Sequence, residues 1–246
     1  MNKDVEAIIL AGGRGRRLGN KLPKVLYRLC GKSLIGWILD DLEKIGIVKP
    51  TIVIGTGNLL VKKTFQDRAE FALQPIPLGT GHAVLCAMKN LGENPPNVLV
   101  MMGDSPLFRI GTIRKLIIKH QRENPTISLT TTKLDNPFGY GRILRGSSGE
   151  ILDIIEEKEA DPEQKLIDEV NAGLYCFEKQ WLKANIKKLS KRSSGEHYLT
   201  DIIKLARKQG KKVIALEIDD SSEMKGVNNP EDLKKAEEIL GRRNRN

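Results

Sequence analysis

Short, near-continuous apolar or β-branched runs punctuate the chain at 5–11, Thr51–Gly55, Asn97–Met102 and 127–132. Runs of this length, bounded by polar and glycine positions, mark strands buried on both faces. Between the first two, Leu34, Ile38, Leu42 and Ile45 recur at helical spacing, with Ser33 placed as N-cap and Gly46 just past the end. A second helix is predicted over about 83–91, stopping at Gly92. A third is predicted over about 113–121, where Ile113, Leu116, Ile117 and His120 share a face. Such strand–helix alternation predicts an α/β sandwich around a largely parallel sheet. Ligands of these sheets gather at the carboxyl ends of the strands, here the segments after Leu10 and after Met102.

The second half changes character. Residues 142–144, the turn Gly146-Ser147-Ser148-Gly149 and Ile151–Ile155 read as a β-hairpin. A strand is predicted at 169–177, helices near 181–189 and 199–208, a late strand at 213–218 and a closing helix at 232–240. No linker, low-complexity tract or internal repeat interrupts 1–240, so one domain is expected, followed by a basic tail at 241–246.

Composition narrows the class. Aromatics are only 4% of the 246 residues, so the core must be aliphatic. The net charge of +10 suits polyanions, either nucleic acid or phosphorylated small molecules. Much of the excess lies in Lys187-Lys188, Lys191-Arg192, Lys211-Lys212 and Arg242-Arg243-Asn244-Arg245, which read as solvated helix faces and a frayed terminus. No basic cluster is interleaved with aromatics, so a nucleic-acid partner is not expected. No apolar run approaches the roughly 20 residues of a membrane span, and no signal-peptide layout opens the chain. Cys30, Cys86 and Cys176 are widely separated within apolar stretches. They read as buried hydrophobes of a reduced compartment, and the cytoplasm is the expected location. His82, His120 and His197 have no metal-like spacing.

The chemistry concentrates in 10–24. Leu10-Ala11-Gly12-Gly13-Arg14-Gly15-Arg16-Arg17-Leu18-Gly19 leads to Lys21-Leu22-Pro23-Lys24. Glycines let backbone N–H groups approach phosphates, and the cations supply the charge that a leaving pyrophosphate needs. The dinucleotide fingerprint G-x-G-x-x-G fails, because Gly13 and Gly15 are followed by Leu18 and the glycine arrives at 19. A P-loop hinted at by Gly31-Lys32-Ser33 fails too, since its first glycine would fall at Leu26. Asp104, set by Gly103 just beyond an apolar strand, is a reasonable magnesium ligand or, alternatively, a turn cap.

Residues 10–18 followed by Pro23-Lys24-Val25-Leu26 and Gly31-Lys32-Ser33-Leu34-Ile35 resemble the opening of the sugar-1-phosphate nucleotidyltransferase family. The short spacing from Arg17 to Pro23-Lys24 is similar to its N-acetylglucosamine-1-phosphate uridylyltransferase branch. The resemblance extends over about 5–240. It implies a three-layer α/β/α sandwich with a Rossmann-like mixed, mainly parallel sheet, the nucleotide-diphospho-sugar transferase fold. It implies a nucleotide-binding half at about 1–110, a sugar-binding half at about 111–228 and a closing helix at 229–240. The related bifunctional proteins continue into an acetyltransferase of hexapeptide repeats, which this sequence lacks, so acetyl transfer is not expected.

Residue by residue, the resemblance assigns the nucleotide to Leu10, Ala11, Gly12, Gly13, Lys24, Gln74, Gly79 and Thr80. The stretch Gln74-Pro75-Ile76-Pro77-Leu78-Gly79-Thr80-Gly81 also reads as a proline-bearing turn with Thr80 capping the next helix. In the family reading the Gln74 amide, able to donate and accept, matches a uracil edge. Asn228, in Gly226-Val227-Asn228-Asn229, becomes the magnesium partner of Asp104. Gly141, Glu156, Asn171 and Thr200 fall at the sugar-binding segments, Thr200 serving equally well as a helix cap. Met102 replaces a tyrosine common before the Gly-Asp pair, and Pro75, Ile76 and Pro77 replace polar residues. The implied substrates are a nucleoside triphosphate, UTP, and a sugar 1-phosphate, N-acetylglucosamine 1-phosphate, with Mg2+ as cofactor and pyrophosphate released; the alternatives are a glucose-1-phosphate uridylyl- or thymidylyltransferase and a non-catalytic sugar-nucleotide-binding regulatory module. Arg17, Lys24 and Asp104 carry the catalytic expectation.

Overall fold

The first strand, Val5–Leu10, divides its side chains between two cores: Val5, Ala7 and Ile9 belong to one, Ile8 and Leu10 to the other. That alternation places a helical layer on each side of the sheet. The computed structural model describes residues 5–13, 16–19, 22–192 and 195–243. Arg14, Gly15, Lys21 and the terminal 244–246, all named above, lie outside the described residues.

The strands are β1 (Val5–Leu10), β2 (Arg28–Leu29), β3 (Lys32–Ser33), β4 (Thr51–Gly55), β5 (Glu70–Gln74), β6 (Asn97–Met102), β7 (Ile127–Lys133), β8 (Arg142–Arg145), β9 (Ile151–Ile155), β10 (Glu169–Glu178) and β11 (Val213–Glu217). The helices are α1 (Leu34–Lys44), α2 (Leu59–Phe65), α3 (Thr80–Ala87), α4 (Ile110–Glu123), α5 (Lys179–Asn185), α6 (Asp201–Lys208) and α7 (Pro230–Arg243). The main sheet runs β11-β7-β10-β6-β1-β4-β5. β5, β4, β1 and β6 are parallel, β10 lies antiparallel between β6 and β7, and β11 is parallel to β7. The β8–β9 hairpin joins at the Val170–Arg142 pair. Helices α1, α2 and α4 pack on one face, α3, α5 and α6 on the other. The sandwich and its mixed, mainly parallel sheet are as the sequence implied. Among the described residues no helix is long and apolar enough to cross a membrane.

Local chemistry explains most boundaries. Ser33 Oγ accepts from Gly36 N at 3.2 Å and caps α1. Gly46, at φ 82°, closes it, with Ile47 N reaching Leu42 O at 2.9 Å. The α4 face of Ile113, Leu116, Ile117 and His120 is buried as predicted.

Several expectations need correction. The second helix begins at Thr80, not 83, and its N-cap is Gly79 at φ 95°. The Thr80 hydroxyl does not cap it but accepts from Leu199 N at 2.9 Å. Cys30 is exposed in the β2–β3 turn and Cys86 is half-buried; only Cys176 is a buried hydrophobe. α7 runs to Arg243, so 241–243 is helix and not tail. Arg243 is no frayed charge either: it donates to Leu107 O at 2.6 Å and also meets Asp220 and Ser222. Arg192 pairs with Glu159 and Asp201. The sequence pattern missed α2 and β5. α2 is seven residues long and buries only Val61 and Phe65, and β5 is an edge strand with Glu70 and Leu73 exposed.

Candidate functional site

The carboxyl ends of β1, β5 and β6 open onto a cleft of about 600 Å³. The chain leaves β1 through Ala11, Gly12 and Gly13, and leaves β6 through Gly103 to Asp104. Ala11 N donates to Val53 O at 2.8 Å and Gly103 N to Leu10 O at 2.9 Å, which pins both exits to the sheet. Buried Asn58 holds the first exit from the other side, its Nδ2 donating to Ala11 O at 3.0 Å and to Gly13 O at 3.5 Å. Sequence reasoning missed Asn58, whose only signal is a position just after β4, beside the switch from strand to helix.

Leu10, Ala11, Gly12, Gly13, Arg17 and Lys24 line one side of this cleft, and Gln74, Gly79 and Thr80 another. Pro77, Glu196 and Tyr198 line it as well and were not anticipated. A Cβ at position 12 would lie 3.0 Å from Gln74 Oε1, a tight contact that glycine avoids.

Lys24 organises the centre. Its Nζ donates to the Asp104 carboxylate and to Asn228 Oδ1, the latter at 2.6 Å. Asp104 and Asn228 are 124 positions apart in sequence (104 and 228) and are brought together by backbone: Val227 N donates to Asp104 O at 2.8 Å. Asn228 N in turn donates to Asp232 Oδ2 at 2.9 Å, at the start of α7. Two oxygen donors therefore converge on one cation. This donor set fits magnesium, which prefers oxygen and takes few protein ligands while keeping water and phosphate oxygens. No group of three or more acidic, His or Cys side chains suited to a metal occurs among the described residues.

A second cavity, about 380 Å³, contains Asn171, Tyr140, Gly173 and Asp232 and shares Met102, Asp104 and Asn228 with the first. The oxygen pair thus stands where two cavities meet. The remaining residues expected to hold sugar are clustered. Thr200 Oγ1 donates to Glu156 Oε1 at 2.7 Å, and a Cβ on Gly141 would lie 3.6 Å from Glu156 Oε2. Gly141 O accepts from Asn171 N at 2.9 Å. Gly141, Glu156 and Thr200 line neither of the two cavities, whereas Asn171 lines the second. The Asn171 side chain is already held, donating to Tyr175 at 2.6 Å and accepting from Gly173 N at 3.1 Å. Burial pushes the Glu156 carboxyl above its ordinary range, against the lowering effect of the Thr200 hydrogen bond. Thr200 occupies the N-cap position of α6 without making a side-chain cap bond.

The two regions are stitched together. His197 N donates to Leu78 O and Gly81 N to His197 O, both at 2.8 Å, beside the Thr80–Leu199 bond.

The Nucleotidyl transferase family matches residues 6–227. The chain is 42% identical over 236 residues to the bifunctional protein GlmU of Clostridium novyi, covering 95% of this chain and 52% of that protein. It is 40% identical over 241 residues to the bifunctional protein GlmU of Pelotomaculum thermopropionicum, covering 98% and 53%. The chain therefore spans about half the length of these curated relatives. Among solved structures, one described as a glucose-1-phosphate thymidylyltransferase from Bacillus anthracis, in complex with sucrose, superposes with a TM-score of 0.78. It is 20% identical, with 96% of this chain and 94% of that chain covered, which speaks to the fold alone.

Proposed function

The chain belongs to the Nucleotidyl transferase family, and from that premise we propose that it moves a uridylyl group from UTP to N-acetylglucosamine 1-phosphate, releasing pyrophosphate. The observation that carries this reading is the meeting of two cavities at Asp104 and Asn228, with Lys24 between them. A transferase of this kind must hold two phosphorylated substrates end to end, and this junction is where their phosphates would face each other. The choice of UTP and of the amino sugar rests on the short spacing from Arg17 to Pro23-Lys24, which is similar to the uridylyltransferase branch.

The reaction is an in-line displacement by a phosphate oxygen on the α-phosphorus. The nucleophile is already an anion, so no covalent intermediate on the protein and no general base are required. Rate then comes from orientation and charge stabilisation. The 10–13 backbone and Arg17 hold the triphosphate, Gln74, Gly79 and Thr80 the base, and Lys24 the charge near the reacting phosphates. Gly141, Glu156, Asn171 and Thr200 orient the sugar. Asp104 and Asn228 would hold Mg2+, which supplies charge neutralisation between the two phosphates. The division of labour is one domain, with about 1–110 serving the nucleotide, about 111–228 the sugar, and α7 closing the Asp104–Asn228 junction through Asp232. Cytoplasmic substrate pools suit this activity, and no nucleic acid or membrane partner enters it.

The test is a pyrophosphate-release matrix of nucleoside triphosphates against sugar 1-phosphates, with and without magnesium. Highest turnover is expected for UTP with N-acetylglucosamine 1-phosphate, and only with the metal. Turnover confined to glucose 1-phosphate would move the sugar assignment, and silence in every cell would leave a binding module without transferase activity.

A further inference from the structure

Gln74 ends β5 nearly buried, at 6% exposure, and faces the cleft. Its Nε2 makes two contacts, one to Gly79 O at 3.0 Å and one to His82 Nδ1 at 3.1 Å. A backbone carbonyl only accepts, so the Gly79 contact fixes which end of the amide is nitrogen. That nitrogen only donates, so His82 Nδ1 must be the unprotonated ring nitrogen. His82 is then neutral with its proton on Nε2, the atom 3.8 Å from Cys86 Sγ. Burial, aided by the nearby His197, disfavours the charged ring, against the opposing effect of a backbone hydrogen bond to Ile76.

Both Gln74 hydrogens are thereby spent inside the protein. What remains for a ligand is Oε1, the atom a Cβ on Gly12 would touch at 3.0 Å. The amide is an acceptor toward the cleft, not the two-way reader expected from the residue type. Resting on the transferase reading above, we infer that His82 is a positioning residue for base specificity: it locks Gln74 as an acceptor and so selects bases with a ring N–H. Uracil and thymine present such an N–H beside a carbonyl. Cytosine presents a ring acceptor at that position, and Oε1 would set lone pair against lone pair, a mismatch of the kind that rejects wrong partners. If His82 could not accept, the amide would be held by Gly79 O alone, a carbonyl already shared with Ala83 N at 3.1 Å.

Two variants and one spectrum test this. His82→Phe keeps a planar ring and removes the acceptor; His82→Asn keeps an acceptor. With N-acetylglucosamine 1-phosphate as co-substrate, His82→Phe should lower the UTP-to-CTP ratio of kcat/KM about tenfold, the scale of one hydrogen bond. The loss should appear in KM for UTP with kcat nearly unchanged, and His82→Asn should recover most of the ratio. In 15N-edited spectra of the wild type, His82 Nδ1 should be unprotonated. A folded His82→Phe protein with an unchanged ratio, or a wild-type ring protonated on Nδ1, overturns the inference. If the wild type turns over nothing, calorimetric titration with UTP and CTP reads the same ratio from Kd. Turnover with unaltered discrimination removes the role of His82 alone. UTP-selective binding without turnover removes the transferase reading alone, and binding of no triphosphate removes both.

Discussion

His120 offers a quantitative check on how the α4 face is built. It is 2% exposed, with Nδ1 2.8 Å from Ser128 Oγ and Nε2 3.2 Å from Asn97 Oδ1. The neutral ring satisfies both partners, accepting from the serine and donating to the asparagine. Burial pushes its pKa down from 6.5 to about 4. The unfolded chain binds a proton near pH 6.5 and the folded one does not until about pH 4, so acid favours unfolding between those values. Stability from this group is complete above pH 6.5 and is lost as pH falls toward 4. At about 1.4 kcal/mol per pH unit the loss is limited to roughly 3 kcal/mol, and about 2–3 kcal/mol should be gone by about pH 4.5. That is a large share of the ~5–15 kcal/mol available to a typical domain. Urea unfolding of wild type and His120→Gln at about pH 7.0, 5.5 and 4.5 isolates the effect, because the carboxylates titrate in both proteins. The wild type should lose about 2–3 kcal/mol more than the variant between the first and last pH. Parallel pH dependences would refute a neutral, desolvated His120.

Asp104→Ala should cut magnesium-dependent turnover by about 10²–10³ while circular dichroism and the melting temperature stay near wild type; near-normal turnover would remove Asp104 from the mechanism. Glu156→Gln should raise stability at neutral pH, because burial raises the folded carboxyl's pKa and its ionisation above the ordinary 4.5 works against folding. The same variant should raise KM for the sugar 1-phosphate, and a steady-state titration showing no change would exclude Glu156 from that site. Gly79→Ala combines a φ of 95° with a Cβ only 2.6 Å from His197 O. It should cost about 1–3 kcal/mol in thermal unfolding and raise KM for the triphosphate.

What the sequence disclosed follows from where physics is local. The continuous runs of β1, β4, β6 and β7 are buried on both faces and could be read directly, as could the Ser33 and Gly46 ends of α1. β5 was hidden because an edge strand with Glu70 and Leu73 exposed looks like a polar loop. The oxygen pair of Asp104 and Asn228 was reached through family resemblance, since nothing local to either residue announces the other. The two-sided commitment of Gln74 Nε2 was not legible at all. Amide orientation depends on a carbonyl and a ring that only the folded turn brings within 3.0 and 3.1 Å.

The bonds from Leu78, Thr80 and Gly81 to 197–199 have a consequence for how the protein is made. Every strand that borders the larger cleft is complete by Met102, yet the turn that would read the base is clamped by residues more than a hundred positions later. Closing so long a loop is an entropic cost deferred to the end of folding. A nascent or truncated chain ending near the middle could assemble β1, β4, β5 and β6 and still lack a formed base pocket. Under the proposed division of labour, the nucleotide half would complete its base pocket only once 197–199 is in place.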